Sequence, residues 1–358
     1  MIILGIESSC DDTSVALLQI KNNNITILAE KTASQIEIHK KYGGVIPELA
    51  GRKHAEQILP VIEEVLKGQA KPDALAVTAG PGLITGLLVG VEAAKSLSFL
   101  LDIPLVRTHH MEGHIYSVLL PEKGTQTPLP DITFPALCLT VSGGHTSLTL
   151  MKNHGEYVQI GATRDDAAGE TFDKVAKMLG LPYPGGPQIS ALAKTGNEKA
   201  IPFPRPMLKK DTEDFSFAGL KTAALYWLQD HRLEKPCMAN IKKLFGRQAV
   251  TRQDFCASFE QAIIDVLVIK TLRATKKYNP KTIILGGGVS ANKKLQKTLQ
   301  DEIKKQDQTL EVRIPKSGYS MDNAAMIALA GYYHAKKKEY TTWQDIVADP
   351  QWLLTDKS

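Results

Sequence analysis

The chain has 358 residues, 43% of them hydrophobic and 23% charged, with a formal net charge of +5, which is ordinary globular composition for one large or two packed domains with a substantial core. Cys10, Cys138, Cys237 and Cys256 lie far apart without a C-x-x-C pair, which argues against a zinc ribbon or a dithiol redox centre and marks them as reduced, packed thiols. The first nine residues carry no basic leader and too short an apolar run for a signal peptide, so a cytoplasmic location without membrane attachment is expected.

Residues 1–7 read as a strand, 8–13 as a polar turn and 14–20 as a returning strand, a β-hairpin followed after an Asn-rich turn by a third strand over 25–31. A helix is expected over 47–66, with Leu49, Ile58, Leu59, Ile62, Val65 and Leu66 as its buried stripe. Residues 74–79 form a short buried strand that runs into Gly80-Pro81-Gly82. The apolar window 83–101 contains Glu92 and Lys95 and reads as a buried helix, not a membrane span. A strand over 103–107 then enters a helix at His110. Residues 121–135, with four prolines, are the best linker in the chain.

Beyond the linker the pattern restarts. Strands are expected over 136–141, 147–152 and 157–163, with the turn Ser142-Gly143-Gly144-His145-Thr146 between the first two, then a helix over 169–179. Residues 183–206 read as loop. Helices follow over 220–228 and 255–277. A strand over 282–285 leads into Gly286-Gly287-Gly288 and a helix capped at Ser290 or Asn292; a strand over 312–315 precedes a last helix, opened by Ser320 and running to about 338. Hairpin, third strand, helices, strand-glycine-helix and strand-helix thus occur twice, which predicts two α/β units facing each other across a cleft.

His110 and His114 are four apart on one helix face and can hold a divalent metal if a third ligand arrives from elsewhere. Chance alone also produces such pairs on solvated surfaces. The repeat makes Asp322, at the start of the matching second-half helix, the third ligand; otherwise it merely supports that helix start through the dipole, worth about 0.3 to 1 kcal/mol. A zinc peptidase of the H-E-x-x-H type fits poorly, because Met111 follows His110 and Glu112 points about 200° away round the helix. The glycine turns are weak anion signals singly, but at repeated positions they predict a nucleotide in the cleft. Lysine runs (Lys209-Lys210, Lys242-Lys243, Lys276-Lys277, Lys293-Lys294, Lys304-Lys305, Lys336-Lys337-Lys338) either solvate a face or, gathered on one side, suit a phosphate backbone.

Seven motifs carry more: IESSCDDTS at 6–14, HHMEGH at 109–114, VSGGHT at 141–146, GETFDK at 169–174, YPGGP at 183–187, DFSFAGLKT at 214–222 and GGVSAN at 287–292. Together, in order over residues 1–333, they resemble the motif set of the TsaD family, the tRNA adenosine threonylcarbamoyltransferases. The resemblance implies an α/β fold of the actin/Hsp70-like ATPase (ASKHA) class, with two duplicated RNase H-like lobes around a cleft. The first lobe would span 1–132, with the C-terminal helix 321–346 packed back on it, and the second 133–320, with a loop-rich insertion at about 183–254. It implies iron, Fe2+, on His110, His114 and Asp322, with Zn2+ or Mg2+ as substitutes on purification. It also implies threonylcarbamoyl-AMP as substrate, supplied by a TsaC/Sua-type enzyme from threonine, bicarbonate and ATP. The expected contacts are Thr140, Val141, Ser142, Gly143, Gly144, Asp173, Gly186 and Asn292.

By the same resemblance, the acyl group goes to the N6 amine of adenosine 37 in tRNAs reading codons that begin with A. The expected partners are tRNA, a shorter TsaB-type paralogue and a TsaE-type P-loop ATPase. His145 and Asp11 are candidates for proton handling, although His145 equally suits a turn and Asp11 an Asx cap. Ser190 departs from relatives that carry an acidic group there, which puts a sugar contact at that position in doubt, and the lysine-rich stretch 231–254 exceeds the family core. The rival functions are a metallopeptidase and a small-molecule kinase of the same fold.

Overall fold

The computed structural model describes residues 1–231 and 250–355. Its first half runs β1 (Ile2–Glu7), β2 (Asp12–Lys21), β3 (Asn24–Ser34), α1 (Ile36–His39), α2 (Pro47–Leu66), β4 (Ala74–Gly80), α3 (Ile84–Leu101), β5 (Leu105–His109), α4 (His110–Tyr116) and β6 (Gln126–Pro128). The second runs β7 (Ala136–Val141), β8 (Thr146–Asn153), β9 (Glu156–Ala162), α5 (Ala168–Met178), α6 (Gly185–Ala193), α7 (Ala218–Asp230), α8 (Arg252–Tyr278), β10 (Thr282–Gly286), α9 (Lys293–Gln306), β11 (Glu311–Arg313) and α10 (Ala324–Lys336).

The two sheets have one plan, orders β5-β4-β1-β2-β3-β6 and β11-β10-β7-β8-β9. In each, three antiparallel strands form a meander, and two later strands add in parallel beside the first. That is the duplicated α/β architecture the repeat predicts.

Side-chain alternation along the strands sorts the core into three layers. Leu4 and Ile6 of β1 turn outward to α2 and α3, while Ile3 turns inward. Leu137, Leu139 and Val141 of β7 turn to α8, while Ala136 and Cys138 join Ile3 between the sheets. The middle layer contains α4 and α10. Helix α10 approaches the first sheet closely because both surfaces are small: a Cβ on Gly5 would lie 2.3 Å from the Ala324 carbonyl oxygen, and one on Gly331 2.3 Å from Ala76 Cβ. This seam draws the last helix of the second repeat onto the sheet of the first, and carries the residues preceding it to α4.

Several elements differ from expectation for identifiable reasons. Leu59 of α2 is 67% exposed, and the buried stripe is Ala50, Gly51, His54, Ile58, Val61, Ile62 and Val65. Gly51 is needed because Thr85 of the next helix lies against it, a close approach that hydrophobicity alone does not signal. Helix α3 is long and apolar enough by composition to cross a membrane, yet it packs on α2 and β4 and buries one face only, leaving Leu88, Phe99 and Leu100 exposed. The proline-rich linker contributes β6, which pairs with β3. The segment expected as loop holds α6, whose first turn is tied to Asp173. Helix α10 starts at Ala324 with Asn323 as its cap, not Ser320, and Asn292, not Ser290, caps α9. Cys10, Cys138 and Cys256 are free thiols. Cys237, Lys242-Lys243 and most of the lysine-rich stretch lie outside the described residues.

Candidate metal and nucleotide site

Helix α4 begins where β5 ends. His109 accepts the Met111 N–H at 3.1 Å as N-cap, and its other nitrogen lies 3.0 Å from the Trp352 carbonyl oxygen, so the C-terminal segment braces the helix start. One turn apart, the His110 and His114 rings meet edge to face at 4.6 Å. Asp322 enters from the segment before α10, its Oδ1 3.6 Å from His110 Nε2 and 3.2 Å from His114 Nε2. One ligand atom from each of the three lies within 4.8 Å of the others.

The electrostatics favour a cation at this point. Burial pushes the Asp322 carboxyl up, but His110 and then His114 outweigh it and hold it well below the usual carboxylate range. Burial opposes protonation of His110, yet Glu7 and Asp322 raise it from 6.5 to about 9. Burial lowers His114. His114 is fully buried, and neither ring nitrogen makes a directed hydrogen bond. Two imidazoles, that of His114 with its nitrogens unsatisfied, and a carboxylate fit a divalent transition metal with open coordination positions.

Glu7 is a residue of this site that the sequence pattern does not single out. It is fully buried, and its Oε2 lies 2.9 Å from His110 Nδ1 while accepting the Thr78 hydroxyl at 2.7 Å. A carboxylate behind a histidine fixes the ring so that Nε2 faces a metal. The available signal was an acid ending an otherwise apolar strand. Glu112, as its helical angle requires, faces the opposite way, accepting the Tyr157 hydroxyl at 2.7 Å and lying 2.7 Å from His334 Nε2.

The β7–β8 turn lies beside this cluster. Ser142 N–H donates to the His145 carbonyl at 2.8 Å, and the turn is tied to the start of α5 by Gly169 N–H on the Ser142 carbonyl at 3.2 Å. No described residue accepts from the Gly143 or Gly144 N–H, and both glycines are exposed. Unpaired N–H groups in an exposed turn beside a helix start are the chemistry that suits an anion. Burial, then His110 and His114, lower His145 to about 4, so its imidazole is neutral at neutral pH. Asp11 is raised by burial and by Asp322.

Gly80-Pro81-Gly82 behaves differently from what its composition predicts. The Asp349 carbonyl occupies the place of a Gly80 Cβ, and Ser9 abuts Gly82, so this run packs chain against chain and leaves no room for a ligand. Gly286 abuts the His114 carbonyl, and Gly287, at φ +87, passes the Val141 carbonyl, so that triplet locks β10 against α4 and β7. Further along the second lobe, Asp173 accepts the Gly185 N–H at 2.6 Å. Asn292 accepts the Leu295 N–H with its oxygen and donates to Glu260 at 2.7 Å and to Ser190 at 3.0 Å.

A family model described as TsaD, tRNA N6-adenosine threonylcarbamoyltransferase, matches residues 26–329. Proteins of that name are similar throughout: the one from Bacillus subtilis (strain 168) is 49% identical over 335 residues, covering 92% of this chain and 90% of its own, and the one from Geobacillus kaustophilus (strain HTA426) is 47% identical over 333 residues with the same coverage. Among solved structures, T. kodakarensis HypF matches with a TM-score of 0.56 at 12% identity, over 96% of this chain and 49% of its own, a likeness of fold.

Proposed function

The chain belongs to the TsaD family, the tRNA N6-adenosine threonylcarbamoyltransferases, and on that premise we propose how its cleft carries out the reaction. The activity is transfer of a threonylcarbamoyl group to the N6 amine of a tRNA adenosine, producing t6A. The donor in this reading is threonylcarbamoyl-AMP and the acceptor is adenosine 37 of tRNAs reading codons that begin with A. Among the described residues, no feature of the site favours peptide hydrolysis or sugar phosphorylation over transfer.

His110, His114 and Asp322 would hold Fe2+, a Lewis acid able to stabilise charge on the phosphate or the acyl oxygen. Gly143 and Gly144 direct their free N–H groups at the phosphate, and Thr140, Val141 and Ser142 form the strand end beneath it. The adenosine lies over Asp173, Gly186 and Asn292. The adenine amine attacks the carbamoyl carbon, the C–N bond forms, and the C–O bond to phosphate breaks with AMP taking the electron pair. His145, neutral at working pH, accepts the amine proton in this reading, and Asp11 is the second candidate for proton transfer.

The protein acts on tRNA in the cytoplasm, with a TsaB-type paralogue, a TsaE-type ATPase and a TsaC/Sua-type supplier of the adenylate. Exposed lysine pairs are available to a phosphate backbone, and the exposed Leu59 of α2 and Leu88 and Leu100 of α3 to a protein partner.

The convergence of His110, His114 and Asp322 from distant parts of the chain, beside an open turn, carries this reading. It is tested by incubating the protein with threonine, bicarbonate, ATP, unmodified tRNA, the adenylate-forming enzyme and the partner proteins, and measuring modified adenosine by mass spectrometry. Elemental analysis of anaerobically purified protein accompanies the assay. Modified adenosine with about one iron per chain is expected; its absence with all components present refutes the reading.

A further inference from the structure

We infer that Glu260 of α8 is the acceptor for the ribose hydroxyls of the bound adenylate, with Asn292 and Ser190 holding its carboxylate toward the cleft. This rests on the reading of the cleft as the adenylate site. Glu260 is 3% exposed, and its Oε1 accepts both the Ser190 hydroxyl at 2.6 Å and the Asn292 amide at 2.7 Å. Its other oxygen, Oε2, takes no bond from any described residue and is not sealed from solvent. Lys294, two residues beyond Asn292, pairs with Glu198 instead. A buried carboxylate with one oxygen unused and no described cation beside it calls for a hydrogen-bond donor.

The surroundings identify that donor. Ser190 lies one helical turn beyond Gly186 on α6, and the same helix begins on the Asp173 carboxylate. Asn292 follows the glycine triplet that ends β10. Glu260 therefore lies among the residues assigned to the adenosine end of the substrate. The Asn292 amide nitrogen is fully committed, to Glu260 and Ser190, while its oxygen accepts one bond at the start of α9. Its two N–H donors are spent on protein, so its nitrogen serves to orient Glu260 and only its oxygen keeps a lone pair for a sugar hydroxyl. Carboxylates recognise ribose hydroxyls in unrelated nucleotide sites because a vicinal diol offers two donors to such an acceptor. Ser190 Oγ and Glu260 Oε1 lie 2.6 Å apart, so an acid at position 190 would bring charge to the neighbourhood of the Glu260 carboxylate.

The experiment is calorimetric titration of the full-length protein with AMP and with 2′,3′-dideoxy-AMP. Wild type is expected to prefer AMP by roughly 10- to 100-fold, the range for a hydrogen bond to a charged group. E260Q is expected to lose most of that preference while binding the dideoxy nucleotide as wild type does, and the double variant E260Q with Ser190→Asp is expected to recover it. An E260Q protein that keeps the full preference, or that weakens both nucleotides equally, overturns the assignment. If E260Q does not fold, Glu260→Asp must show the same selective loss, and its full preference for AMP likewise overturns it. Wild type that binds neither nucleotide overturns the adenylate reading of the cleft itself, an outcome distinct from wild type and E260Q discriminating alike.

Discussion

Glu7→Gln separates holding a metal ligand from merely filling the core. The side chain is fully buried and gives acceptors in two directions: Oε1 to the Ser9 N–H at 2.6 Å, and Oε2 to the Thr78 hydroxyl at 2.7 Å and His110 at 2.9 Å. A glutamine can satisfy one direction only. With its oxygen kept on Thr78 and His110, its NH2 meets the Ser9 N–H, donor against donor, at a cost of about 1–3 kcal/mol to the metal-free protein. A separate effect falls on the metal, because loss of a carboxylate behind a ligating histidine weakens binding by roughly 10- to 100-fold. At fixed free metal this removes about 1.4–2.7 kcal/mol of metal-induced stabilisation. Chelator competition under anaerobic conditions gives the affinity, and melting with and without Fe2+ gives the stabilisation. If Glu7→Gln melts lower but binds iron as tightly as wild type, with the same metal-induced shift, Glu7 is a packing residue and the assignment is wrong.

Asp322→Ala should abolish iron occupancy and reduce transfer by at least about 100-fold, since it removes a direct ligand; retention of both refutes the site. A Cβ at Gly144 meets nothing within 4 Å, so Gly144→Val should melt within a few degrees of wild type yet fail to bind the adenylate, and unaltered binding removes the phosphate role of that turn. Glutamate in place of the exposed Lys276-Lys277 and Lys304-Lys305 should weaken tRNA binding and flatten its dependence on salt, and an unchanged slope in filter binding assigns those runs to solvation alone. Burial opposes the charge on His334, but Glu112 and Glu339 raise its pKa from 6.5 to about 9. Its contribution is therefore full below pH 6.5 and lost as pH rises through about 9, on the order of 3 kcal/mol at most. Urea unfolding across that window should show a decline that His334→Gln flattens; parallel curves would dissociate the decline from His334.

The parts of the molecule that repeat were legible in the sequence, because strand alternation and glycine-terminated strand ends are local signals. His110 and His114 were legible by spacing, and Asp322 only through the repeat, because nothing in its own neighbourhood distinguishes it from a helix-start carboxylate. Glu7 and Glu260 were not expected as functional, since their roles depend on partners distant in sequence, His110 for one and Ser190 and Asn292 for the other. Gly80-Pro81-Gly82 and Ser142-Gly143-Gly144 show the same limit. Both read as glycine turns beside a strand, but the first is filled by the C-terminal segment and Ser9, and the second is open. Composition gives a turn its freedom to accept a close neighbour, and tertiary packing decides whether that neighbour is protein or ligand.

The two halves have diverged in a way that makes one site out of two copies. In the first, the hairpin turn is covered: Leu83 N–H donates to the Ser9 carbonyl at 2.7 Å, and Gly82 and Gly86 leave no space above it. That covered turn holds Glu7 dry behind His110. In the second, the equivalent turn stays open, and no described residue accepts from its Gly143 and Gly144 N–H groups. The small-residue seam of Gly5, Ala76, Ala324, Ala328 and Gly331 then brings α10 across, and Asp322 with it, so that the candidate metal ligands meet beside the open turn instead of the closed one. Each copy alone has either the histidines with their buried acid or the carboxylate with the open turn. Close packing of the two sheets about α4 and α10 is therefore a requirement of the chemistry as well as of stability.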